Sequence, residues 1–232
     1  MTQYLKDDFK WDFGIFSSKI NLRLKSVSES IDEFIVCIDR IESEKREQEV
    51  QVEEEQQIEI DEGIGDELSQ LLTHLQNRVF YNSLLTTTFS FLEYALVEYC
   101  RMLENYIEVD IEPYHSYKKN KGIDKSKAYL KEAFEINISD EKEWSELKTY
   151  GKVRNLIIHN DGNIINNSTK ELIEQEDYKE LSKIKELDIT ETGYIHIKEV
   201  DYIKTLLNKS TSFLISVIEI TEKKLKTAAN NK

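Results

Sequence analysis

Chain breakers are scarce in this sequence, and that scarcity limits the folds open to it. Its 232 residues contain one proline, Pro113, and seven glycines. Sandwiches and barrels need such residues at their many turns, whereas long helices exclude them. The apolar residues agree. Between 19 and 47, Leu22, Leu24, Val27, Ile31, Phe34, Ile35, Ile38 and Ile41 recur mostly at three- and four-residue spacing, which predicts a first long helix. The same period runs from Leu68 through Leu75, Val79, Leu85, Phe89, Leu96 and Leu103, predicting a second helix over 67–108. At 1.5 Å per residue that helix is roughly 60 Å long. The β-branched run Thr86, Thr87, Thr88 is where it can bend, and Pro113 lies just past its end.

Further elements follow. A short helix is expected around 124–136. Another covers 139–160, with Ser139 as N-cap, acids in its first turn and Gly162 as its stop. A helix over 170–186 and a final one over about 199–226 flank a hairpin pattern in "ELDITETGYIHIKEV". There Ile189, Ile195 and Ile197 alternate around a turn at Gly193. The expected fold is all-α: a single domain over 1–232, a helical bundle with long antiparallel helices and a small appended β-hairpin.

The net charge of −14 opposes non-specific nucleic-acid binding, but charge is unevenly spread. Residues 42–67 carry twelve acids against Lys45 and Arg46, and 48–66 reads as an acidic exposed linker between the first two helices. Residues 114–131 carry six lysines against Asp124 alone. There Lys118, Lys119 and Lys121, interleaved with Tyr117, could hold RNA by charge and stacking or could form a solvated loop. Cys37 and Cys100 sit in apolar helical patterns and read as buried thiols. Trp11 and Trp144 read as core anchors. His74, His115, His159 and His196 fall on separate elements, so no metal site and no cofactor are expected. "MTQYLKDDFKWDFGIF" lacks an uninterrupted apolar core, and no apolar run approaches a membrane span, so a soluble cytoplasmic protein is expected.

The stretch with the most chemistry is "RNLIIHNDG", 154–162. Arg154 and His159 are about 140° and about 7.5 Å apart on a helix, and Asn155 shares a face with His159. The three can therefore rim one side while Ile157 and Ile158 turn into the bundle. Arginine offers phosphate a permanent planar cation, and histidine changes charge near neutral pH. Together with an amide they suit phosphodiester cleavage. Asp161 could orient His159 or cap the turn. Glu93 and Glu98 could face a cleft or pair with Arg101, and Arg78 is similar. His196 reads as a strand surface residue.

"RNLIIH" resembles the Arg-x(4–6)-His signature of HEPN-domain proteins, with a polar residue straight after the arginine. A long helix carrying "TTTFSFLEYALVEYC" ahead of it, the "HNDGNI" exit and the late helices are similar to bacterial members, over roughly 70–225. The resemblance implies a helical bundle that forms a homodimer, and a metal-independent endoribonuclease in which the 2′-hydroxyl attacks the adjacent phosphate. Arg154 and His159 would be the catalytic pair and Asn155 the polar motif residue. It implies a toxin or anti-phage effector, with an antitoxin or regulatory protein as partner. Alternatively it implies an inactive module that binds a protein or nucleotide. Some toxins of the family carry a modifiable tyrosine two residues after the histidine; Asp161 stands there. One Arg and one His are too few for base, acid and charge stabilisation, so the two motif helices are expected to face each other across a twofold axis.

Overall fold

A computed structural model describes residues 62–107, 109–138, 142–165 and 171–230, together with separate helical residues between 14 and 43. For 62–77, 106, 142 and 225–230 the description is of the backbone alone. Helix α1 runs Glu62–Tyr106, α2 Gly122–Phe134, α3 Lys142–Asn160, α4 Glu176–Leu181 and α5 Asp201–Asn230. Strands β1 (Leu187–Ile189) and β2 (Ile195–Ile197) pair antiparallel, with Asp188 opposite His196. The described residues are therefore mostly helical with one small hairpin, as the periodicity predicts. Among the described residues no helix is long and apolar enough to cross a membrane.

Helix α1 is the spine. Leu85, Phe89, Leu92, Leu96, Tyr99, Cys100 and Leu103 form its buried stripe, and it packs on α2, α3, α5 and β2. The threonine run does not interrupt it, and Thr88 is buried within it. Helix α3 lies against α1 at Gly151. A Cβ there would stand 2.8 Å from Cζ of Phe89, so only glycine permits this approach. On its other side α3 packs on α5 through Tyr150 against Tyr202 (ring centroids 4.6 Å apart) and Trp144 against Phe213 (5.5 Å).

Three expectations change. The acidic linker ends earlier than read, because Glu62–Asp66 are already helical; once the following apolar period nucleates the helix, Gly63 and Gly65 cost only about 1 kcal/mol each. Residues 48–61 lie outside the described residues, as do Trp11, Cys37, Ser139 and most of the 19–47 stripe. The expected helix 170–186 is a 3-10 turn at Leu172–Glu174 followed by the short α4. Gln175 is extended between them, and Leu181 is the only buried residue the two pieces supply, so no apolar stripe drives a longer helix. At Ile157 and Ile158 the helix is rotated from expectation. Leu156 is buried and Ile157 half-buried, while Ile158 is 44% exposed.

The core is rich in tyrosine. Tyr129 meets Tyr114, Tyr117 and Phe134 edge to face at 5.1–5.7 Å. Its hydroxyl donates to Glu104, which also accepts the Tyr114 backbone N–H and so ties the loop after α1 to the core. Burial pushes the phenols of Tyr99, Tyr129, Tyr150 and Tyr202 above their usual range, and that of Tyr117 up to about 12. Unfolded tyrosines titrate near about 10. A phenol raised in the folded state stabilises the fold fully below the unfolded value, and that contribution is lost as pH rises through the folded one. Alkaline titration should therefore give cooperative unfolding above about pH 10, with tyrosinate absorbance and loss of near-UV dichroism rising together. Tyrosines that ionise at their ordinary pKa in an intact fold would contradict this.

Candidate functional site

The apolar stripe of α3 leaves Lys148, Gly151, Lys152, Asn155 and His159 along its opposite edge, at three- and four-residue spacing. That edge forms one wall of a cleft of about 660 Å³. Phe89 and Glu93 of α1, the first turn of α2 at Gly122 and Asp124, and Asp177 of α4 complete it. Arg154, Asn155 and His159 all line this cleft. The structure thus brings the three residues singled out from the sequence to one place, with Asn155 and His159 exposed and Arg154 half-buried.

Arg154 is held on two sides. Its Nη1 donates to Asn155 Oδ1 at 3.0 Å, so the amide beside the arginine fixes the guanidinium plane. Its Nη2 faces Glu93 Oε2 at 3.6 Å, an ion pair too long for a hydrogen bond. Its Nε is buried without a hydrogen-bond partner. Glu93 lies beside the start of α2; a Cβ at Gly122 would stand 2.8 Å from its Oε1. Of the two acids weighed in "FLEYALVEYC", Glu93 faces the cleft and Glu98 pairs with Arg101 at 3.0 Å.

The two lysines of α3 that line the cleft are also matched. Lys148 faces Asp124 at 3.7 Å. Lys152 meets Asp177 at 3.1 Å and Glu180 at 2.5 Å, and its hydrogen bond holds the Glu180 carboxyl below the usual range. Sequence reasoning did not single out Lys148 or Lys152; their shared face with Asn155 was the available signal. The proposed RNA-binding group divides. Lys121 lines the cleft and Lys118 is exposed. Lys119 pairs with Glu132 at 2.8 Å, and this contact holds the Glu132 carboxyl low. Tyr117 is 3% exposed in the ring cluster, not on a surface where a base could stack. Among the described residues no group of three or more His, Cys, Asp or Glu side chains is arranged to hold a metal ion.

The end of α3 is fastened to the rest of the protein. Asp161 adopts the left-handed region (φ 52°) and Gly162 follows at φ 76°, where its N–H donates to the Leu156 carbonyl at 2.9 Å. Ile195 N–H then bonds the Gly162 carbonyl, and Ile164 N–H the Gly193 carbonyl, both at 2.9 Å. The exit strand is thereby stitched to the hairpin. Arg78 of α1 clamps the same turn. Its Nη2 donates to the Asp161 carbonyl at 2.8 Å and pairs with the Asp161 carboxylate at 3.2 Å, and its guanidinium lies 5.1 Å from the Tyr194 ring centre.

Comparison of the chain with family models, with curated proteins and with solved structures returned no match.

The Asp161 carboxylate is 86% exposed, so its share of the Arg78 clamp is small. Arg78→Met should lower stability by about 1–2 kcal/mol by removing a charge-assisted bond to a main-chain carbonyl. Asp161→Asn should cost less than about 0.5 kcal/mol. Denaturant midpoints check both, and equal losses would contradict the assignment.

Proposed function

We propose that the protein is a HEPN-type endoribonuclease that cleaves RNA without a metal ion. The observation that carries this reading is the convergence of Arg154, Asn155 and His159 on one cleft, with His159 exposed to it. In the reaction the 2′-hydroxyl oxygen attacks the adjacent phosphorus, the bond from phosphorus to the 5′-oxygen breaks, and a 2′,3′-cyclic phosphate remains. The 2′-hydroxyl proton passes to a base and the departing 5′-oxygen receives one. Arg154 stabilises the charge on the phosphorane, Asn155 keeps the guanidinium oriented, and His159 transfers a proton. A homodimer with the two motif helices facing each other would supply a second histidine, so that base and acid are separate groups. The exposed Ile158 beside His159 offers apolar surface for that contact. A cytoplasmic toxin or anti-phage effector, restrained by an antitoxin or regulatory partner, is the setting that fits such an activity.

One observation favours a second reading, a non-catalytic module that binds a protein or nucleotide in the same cleft. Lys148, Lys152 and Arg154 each already face a carboxylate. The two readings separate in one assay: cellular RNA incubated with purified protein in EDTA. The wild type should leave cyclic-phosphate ends, and His159→Ala and Arg154→Ala should each lose at least about 100-fold in rate. Folded wild type that leaves RNA intact would favour the binding module. Equal cleavage by all three proteins would move the active site away from Arg154 and His159.

A further inference from the structure

Two cleft ion pairs are loose, Lys148 with Asp124 at 3.7 Å and Arg154 with Glu93 at 3.6 Å, and the second is the less exposed of the two. Lys152 is gripped by two carboxylates at 3.1 and 2.5 Å, a stable structural bridge from α3 to α4. Arg154 instead faces its carboxylate across 3.6 Å, with Nε making no hydrogen bond. The guanidinium is oriented by Asn155, and the Nη2 that faces Glu93 makes no hydrogen bond to it. Both side chains are only partly exposed, 21% for Arg154 and 26% for Glu93, so solvent screens their charges incompletely. Glu93 Oε1 lies beside Gly122, where a Cβ would come within 2.8 Å of it. A carboxylate so placed balances the arginine without saturating it.

We propose that Glu93 is the resident anion of the Arg154 site: it occupies the place of a substrate phosphate, and RNA binds by displacing it. This rests on the ribonuclease reading for the identity of the ligand, but the exchange itself concerns binding and not bond cleavage. A phosphate oxygen that forks onto the guanidinium makes the hydrogen bonds that Glu93 does not. The displaced carboxylate turns to solvent. Glu93 thus weakens the binding of any anion that cannot complete the fork, and it sets the affinity threshold of the cleft.

The test uses the full-length protein and a short fluorescent 2′-O-methyl RNA of mixed sequence, which binds but lacks the attacking hydroxyl. Glu93→Gln should bind it about fivefold more tightly at low salt. The gain should shrink as salt is raised, because salt screens the repulsion between the carboxylate and the RNA phosphates that the substitution removes. Glu98→Gln makes the same charge change outside the cleft and should leave affinity within about twofold. Combining Glu93→Gln with Arg154→Ala should erase the gain. Glu93→Ala should repeat the result, so a folding defect in one variant does not decide the matter. On cleavable RNA, Glu93→Gln should lower KM with kcat little changed.

Unchanged or weaker binding by both Glu93 variants, a gain that survives Arg154→Ala, or no binding by any variant would overturn the proposal. So would a loss of kcat at unchanged affinity, which would make Glu93 a catalytic base. Wild-type cleavage without the gain removes this proposal and leaves the ribonuclease. The gain without wild-type cleavage keeps the exchange and removes the ribonuclease.

Discussion

Helix α3 can carry a site because at Gly151 it adds no side chain of its own to the contact with α1, and the Phe89 ring packs directly on its backbone. At Gly151 a Cβ would stand 2.8 Å from the Phe89 ring. That contact sets how close the two helices come and how α3 is rotated, and rotation decides which of its residues face the cleft. With Leu147, Tyr150, Val153 and Leu156 turned into the core, Lys148, Lys152, Asn155 and His159 fall on the open edge. The other devices around the site serve the same placement. Tyr150 and Trp144 lock α3 to α5 from behind, and Arg78, the hairpin and the left-handed turn at Asp161 fix its end just past His159. The small sheet is therefore part of the support of the site.

Electrostatics then shape what the cleft can accept. The chain as a whole carries −14, and the cleft does not escape this: Lys148, Lys152 and Arg154 are met by carboxylates from α2, α4 and α1. Such a cleft attracts anions weakly at long range and discriminates at short range, through geometry. The distances rank the pairs. Lys152 is committed to the fold by two contacts, whereas Arg154 and Lys148 are held loosely at 3.6 and 3.7 Å. The loosely held cations are the ones a ligand phosphate can recruit at small cost.

Much of the fold was legible from local signals. The buried stripe of α1 from Leu85 onward, the stop at Gly162 and the register of the hairpin follow from spacing and from turn chemistry, which act over a few residues, although Val79 of the same apolar period is exposed. The shared face of Asn155 and His159 followed from helical periodicity, whereas Arg154, about 140° from His159, lines the same cleft beside Glu93 of α1. What escaped depends on distant parts of the chain. Whether Leu156 or Ile158 is buried is decided by the rotation imposed at Gly151, and an apolar triplet cannot reveal it. Tyr117 sits among lysines in the sequence and reads as surface, yet Tyr129 and Phe134 draw its ring inward. Lys119 finds Glu132 across 13 positions, and Arg154 finds Glu93 across 61, separations at which sequence offers no pairing rule. The segment after 170 misled because its apolar residues are plentiful enough for a helix but supply only Leu181 to the core.

The central claim is that Arg154, Asn155 and His159 form a phosphodiester site, and the most direct measurement is a crystal structure with a 2′-O-methyl dinucleotide bound. The account predicts the phosphate in the cleft between α1 and α3, bonded to the Arg154 guanidinium, with the 5′-oxygen within reach of His159 and the Glu93 carboxylate turned away. A dinucleotide bound elsewhere on the protein, with Arg154 still facing Glu93, would contradict it.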